Sequence, residues 1–155
     1  MRKIVFNAFV LIALTFFASL FRGCCSGKLP PEPAHPGSVA GWQESQGGGV
    51  HTVGTLVLKK GESSDNGKIG VKVVDIGAAD PCAEYGSLQS LPRVKMQFIQ
   101  MPQEKVICEE VLTAGSGTSL IAGPCGEKIA DLGVTAISVN AINATDGWVW
   151  FELRK

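Results

Sequence analysis

Cys82, Cys108 and Cys125 are the residues of this chain most able to do chemistry by type alone. A thiol reacts as the thiolate, which needs a cation or a helix N-terminus beside it. Here Asp80 and Glu84 bracket Cys82, and Glu109 and Glu110 follow Cys108, so the local charge disfavours the thiolate. The expected use is structural. Three cysteines in an oxidising space leave one pair and one odd thiol. Cys108 with Cys125 is the preferred pair, because a short separation with a turn between closes more easily. Cys82 is the alternative partner. Zinc fits poorly, since these three cysteines contain no Cys-x-x-Cys.

Trp148 and Trp150 come next. In a strand, alternate residues share a face. Val149, Phe151 and Leu153 then make one apolar face, and the two indoles point the other way with Glu152. Side by side, they form the kind of platform on which a sugar ring stacks. Their bland use is as core aromatics covered by a loop or by Trp42, and large aromatics usually serve that way. Both uses stand as expectations, with coverage the favoured one.

Acid–base and nucleophile chemistry find little support. Asp75 with Asp80, or Asp65 with Glu62, could be paired acids, but glycoside hydrolysis needs two carboxylates flanking a cleft and nothing fixes such a pair. Asp at alternate positions with a closing Glu, the calcium-loop pattern, is missing. The two histidines, His35 and His51, lie in or next to a Pro/Gly-rich stretch rather than on a rigid element. No Gly-x-Ser-x-Gly occurs, and Gly115-Ser116-Gly117 precedes no helix that would cradle phosphate. Asn143-Ala144-Thr145 fits the glycosylation pattern, yet Asn-Ala-Thr-Asp-Gly is also an ordinary hairpin turn. No metal, cofactor or catalytic residue is expected.

The start of the chain carries an address. Met1-Arg2-Lys3 is basic, Ile4 to Phe21 is a nearly unbroken apolar run, and Arg22-Gly23-Cys24-Cys25-Ser26-Gly27 follows. That is the grammar of an export signal. At about eighteen residues the run exceeds a usual cleaved core and just reaches the span of a bilayer. Three outcomes follow. A lipoprotein peptidase cuts before Cys24, which is then acylated; Gly23 suits this, while Phe21 and Arg22 depart from the motif. An ordinary signal peptidase cuts among residues 23–27. Or nothing cuts and the run anchors the chain, basic tip inward. Lipidation at Cys24 is the favoured outcome, and all three place the remainder outside the cytoplasm.

Charge argues against a nucleic-acid or an anionic-lipid surface. The chain has 14 basic and 14 acidic residues. Without Arg2, Lys3 and Arg22 of the signal, 11 basic remain against 14 acidic, a net of −3. No basic run exists, so a nucleic-acid surface has no electrostatic footing.

The elements that must position these residues read as β. Residues 28–49 hold four prolines near their start and Gly47-Gly48-Gly49 at their end, the composition of a semi-rigid and then flexible spacer. From Val50 on, short β-branched runs alternate with turn residues, and no long helix is indicated. Val53–Lys60 and Lys68–Ile76 read as the two arms of a hairpin through Asn66-Gly67, whose residues accept the positive φ that such turns need. Arg93–Gln100 alternates cleanly, Lys105–Leu112 returns beside it, Ser119–Ile121 is a short strand, and Gly123-Pro124-Cys125-Gly126 is a tight turn. Val134–Asn140 and Trp148–Leu153 close the chain.

Some seven strands with regular turn signals predict a single antiparallel β-sandwich, immunoglobulin-like or transthyretin-like in topology. The expected organisation is a signal or anchor over residues 1–23, a flexible tether over 24–49 and the sandwich over 50–155. The expected role is an exported, membrane-tethered cell-envelope protein that binds or scaffolds a protein or glycan. The alternatives are a carbohydrate-binding module using Trp148 and Trp150, a small secreted hydrolase, and release as a secreted rather than anchored protein.

Overall fold

In the computed structural model, residues 31–47, 49–80, 90–114, 118–120 and 123–155 are described. The chain runs β1 (Ser45–Gly47), β2 (Val50–Lys59), β3 (Ser63–Asp65), β4 (Ile69–Gly77), β5 (Arg93–Gln100), β6 (Lys105–Thr113), β7 (Thr118–Leu120), α1 (Gly123–Ala130), β8 (Ala136–Asn143) and β9 (Trp148–Arg154). Two antiparallel sheets result. Sheet A has the order β1-β2-β9-β8-β7, and sheet B the order β3-β4-β5-β6. The all-β expectation holds, and the arrangement is consistent with a sandwich.

Period-two alternation creates the core. In β9, Val149, Phe151 and Leu153 are fully buried, and they face Leu56 and Leu58 of β2 and Ile137, Val139 and Ile142 of β8. Sheet B supplies Ile69, Val71 and Val73 from β4 and Val94, Met96 and Phe98 from β5, all with no exposed surface. Side chains from both sheets form one apolar cluster. Burial of this kind stabilises by roughly 25 cal/mol per Å² of apolar surface. Each long strand pairing except β7–β8, β1–β2 and β3–β4 carries a bulge. The bulge in β8 falls at Asn140, which is exposed between buried neighbours, as an extra residue re-aims a side chain.

The expected hairpin between Val53–Lys60 and Lys68–Ile76 does not form. Its two arms lie in different sheets: β2 pairs with β1 and β9, and β4 with β3 and β5. The Asn66-Gly67 turn is real, with Asn66 Oδ1 accepting the N–H groups of Lys68 and Ile69 and Asp65 Oδ1 accepting that of Gly67. It joins β4 to the three-residue β3 instead. Between Lys59 and Ser63 the chain steps from one sheet to the other, stitched by Lys60 N–H to Gly147 O and Gly61 N–H to Val73 O.

A second correction concerns Gly123-Pro124-Cys125-Gly126, expected as a tight turn. It opens α1, which packs on β6. The helix ends in a Schellman motif: Val134 N–H bonds Ile129 O at 3.1 Å and Gly133 N–H bonds Ala130 O at 2.9 Å. Gly133 takes φ +89, which a side chain would strain, and Val134 and Ile129 are buried against each other's turn. Cys125 on α1 is bonded to Cys108 on β6. The helix thereby closes the flank between β6 and sheet A.

The opposite flank is closed from outside the expected domain. Within the stretch expected to be a tether, residues 45–47 form β1 on the edge of β2, and Gly41 exchanges both backbone hydrogen bonds with Thr55, at 2.9 and 2.8 Å. Trp42 packs against the apolar cluster, and its Nε1 donates to Ser64 Oγ of β3 at 2.8 Å. Gly54 leaves room for it: a Cβ there would sit 3.0 Å from Trp42 Cε3. One indole thus bridges the edges of both sheets.

Candidate functional site

The outer face of sheet A holds the aromatic and polar groups that could bind something. Register sets Trp148 between Lys59 and Asn143, and Trp150 between Val57 and Ala141. Trp148 is only 1% exposed, while Trp150 is half-buried. His35 meets Trp148 edge-on, with ring centroids 5.2 Å apart. The Nε1 atoms of both tryptophans are buried and have no hydrogen-bond partner among the described residues. An indole N–H usually finds an acceptor when buried. Leaving one without costs about 1–3 kcal/mol.

A polar row runs beside Trp150. Ser138 Oγ lies 3.3 Å from Asn140 Oδ1, Asn140 Nδ2 lies 3.4 Å from Glu152 Oε1, and Arg154 donates through Nε and a terminal nitrogen to Glu152 Oε2 at 3.3 and 2.8 Å. The row offers amide, carboxylate and guanidinium groups level with an indole. That combination suits a ligand with one apolar face and hydroxyl or carbonyl groups at its rim.

The segment before β1 covers part of this face. Asn143 Nδ2 donates to Pro33 O at 3.2 Å and to Asp146 Oδ2 at 3.0 Å, and Thr145 N–H donates to Glu32 Oε1 at 3.2 Å. Asn143 Oδ1 also accepts Asp146 N–H. Asn143 is 5% exposed and its amide is fully engaged, so the Asn143-Ala144-Thr145 pattern serves the β8–β9 turn and presents no free amide for a glycan.

The remaining candidates are dispersed. Asp75 forms an ion pair with Lys60 at 2.5 Å, and the Lys60 ammonium holds its carboxyl below the usual value. Glu109 is held below its usual value by Lys95 and Gln97, at 2.6 and 2.5 Å. Glu62 and Asp65 accept backbone N–H groups of their own turns. None of these carboxylates faces another across a cleft. His51 pairs with Glu44 at 3.3 Å, and His35 Nδ1 accepts Gly37 N–H. Among the described residues no three His, Cys, Asp or Glu side chains gather as metal ligands, and no helix is long and apolar enough to cross a membrane. Cys24, Cys25 and Cys82, and the apolar run 4–21, lie outside the described residues.

Sequence reasoning singled out Trp42 as a lone tryptophan that docks and as a cover for Trp148 and Trp150; it docks, but on the apolar cluster, Gly54 and Ser64. It missed His35 and Pro33 as parts of the fold. Among the described residues the surface also has open clefts of about 380, 350 and 330 Å³. Two of them flank Leu132 at the end of α1, and the third lies along the outer side of sheet B. No protein-family model, curated protein or solved structure matches the chain.

Proposed function

We propose that this chain is an exported β-sandwich of immunoglobulin-like or transthyretin-like kind, held at a cell-envelope membrane by lipid on Cys24 or by an uncleaved run 4–21. Its role is to bind or scaffold rather than to catalyse. The observation that carries the binding reading is the pair of buried, unpartnered indole N–H groups of Trp148 and Trp150 on one sheet face. A partner's acceptor would reach them, and recover the cost of leaving them bare, only by displacing cover such as the segment that carries His35.

The protein-binding reading comes first. The carbohydrate reading stays beside it because Trp150 is half-exposed next to the Ser138–Asn140–Glu152–Arg154 row. Stacking on an indole with hydrogen bonds at the rim is what a pyranose needs.

Two measurements test this. Intact mass of the mature protein reports cleavage, acylation and disulfide count together; Cys24→Ser should abolish acylation, and either release the protein from membranes or block its processing. Glycan-array binding, lost in Trp150→Ala, would promote the carbohydrate reading over protein scaffolding. Turnover of model ester or glycoside substrates would overturn the non-catalytic reading.

A further inference from the structure

The sandwich has two distinct poles. At one lie the β8–β9 turn and the β2–β3 turn, joined by Lys60 N–H to Gly147 O, with the Lys60–Asp75 ion pair beside them. At the other lie the β3–β4 turn, the β5–β6 turn, Gly133 and the C-terminal Lys155, joined by Met101 N–H to Lys68 O and Lys155 N–H to His51 O. The chain enters at the first pole, where Glu32 and Pro33 are bonded to Thr145 and Asn143. From there it runs down sheet A to Gly41, Trp42 and β1.

We infer that residues 31–47 are a strap and not a tether, and that on a membrane the strap holds the sandwich with its β8–β9 pole toward the lipid surface and its Lys155 pole away. This rests on the anchored reading above. A tether over 24–49 would let the domain turn freely, since 26 residues reach about 90 Å when extended. With 31–47 laid on the domain, the free chain shrinks to seven residues from a lipidated Cys24, or ten from Phe21. Those reach at most about 25 and 36 Å. Strands of eight to ten residues make the sandwich about 30 Å from pole to pole. Inverting it would lift residue 31 about that far from the bilayer, beyond the reach of the lipidated form and near full extension of the other.

The entry pole is not built to bind anionic lipid. Lys59, Lys60 and Arg93 are matched there by Glu62, Asp75 and Asp146. The strap therefore sets orientation without burying the pole. The consequence is that the clefts flanking Leu132, lined by Lys105 and Lys128 on one side and by Lys68 and Lys155 on the other, are what the protein presents outward.

Native lysines test this. The full chain, in vesicles of neutral lipid, is treated with a bulky amine-reactive reagent that does not cross membranes. It is compared with a variant carrying a Gly/Ser insert of about twenty residues between Gly27 and Lys28, enough to exceed the length of the domain. Lys59 and Lys60 should label several-fold more slowly without the insert than with it, while Lys128 and Lys155 label alike in both. Equal labelling at both poles in membrane-held protein overturns the orientation and leaves the anchored reading standing. Protein that stays in the soluble fraction overturns the anchored reading itself. A variant with Trp42→Ala and Asn143→Ala, checked for a cooperative melt, should lose the protection by freeing the strap; retained protection would also refute it.

Discussion

The indole N–H of Trp42 donates to the Ser64 hydroxyl across 22 residues of chain, and this one bond ties the segment before β1 to the sheet that β1 does not belong to. It turns a spacer residue into the seal of the β2–β3 flank. Trp42→Ala should therefore cost about 2 kcal/mol, less than a fully buried tryptophan, and lower the melting point by several degrees. Thermal denaturation followed by circular dichroism checks it. A chain beginning at residue 50 should fall at least as far, since it also loses β1; an unchanged melt in that truncation would show the strap to be ornamental.

Gly54→Ala probes the same seal from beneath. The added methyl would press on Trp42 Cε3, and overpacking of this kind costs about 1–3 kcal/mol. In the Trp42→Ala background the penalty should vanish, and additive losses in the double variant would disprove the contact.

Trp148→Ala should be costly, about 3–5 kcal/mol, because the side chain is 1% exposed. Trp150→Ala should cost clearly less. Near-wild-type stability in Trp148→Ala, combined with indole emission at water-exposed wavelengths, would mean that this tryptophan stands in water as a platform.

Cys108 and Cys125 should be found joined by peptide mapping without reduction. Replacing both by Ser should cost about 2–4 kcal/mol, mainly by releasing the unfolded chain from a 17-residue cross-link. Two free thiols at these positions in protein from its native compartment would contradict the bond.

Acid sensitivity has a defined sign. Asp75 and Glu109 both have carboxyls held below the ordinary carboxylate values, by hydrogen bonds from Lys60 and from Lys95 with Gln97. A depressed acid stabilises the fold above its unfolded value, and that contribution disappears as pH falls through the lowered folded value. Both groups are exposed, so the contribution is small and salt-sensitive. Lys60→Met and Lys95→Met should each flatten the acid limb of melting point against pH, at low ionic strength. A steeper acid limb in either would reverse the assignment.

Where the sequence was clear, one face met the core and the other met water. Arg93–Gln100 reads as β5 to the residue, because Val94, Met96 and Phe98 are buried while their neighbours are not. The same holds for β9. The hairpin between β2 and β4 misled because Asn66-Gly67 announces a turn without saying which upstream arm it serves, and Ser63–Asp65 is too short and polar to announce itself. The helix was hidden by its glycines. Its signals were Pro124 at the start, the i, i+4 spacing of Cys125 and Ile129, and Gly133 after the last turn. For the candidate site, alternation gave the shared face of Trp148 and Trp150, but nothing local foretold that His35 and Pro33 would lie over it.

Sheet A takes β2 from the beginning of the fold and β9 from its end, with Thr52 opposite Arg154. The pairing closes a loop of about a hundred residues, so the loop-closure entropy is met before most native contacts exist, and folding of such topologies is slow. In a chain made N-terminus first, β2 has only the three-residue β1 beside it until β9 is available. The centre of sheet A therefore cannot assemble before Trp148–Arg154 has been made, and a truncation that removes β9 strips β2 and β8 of the long strand between them.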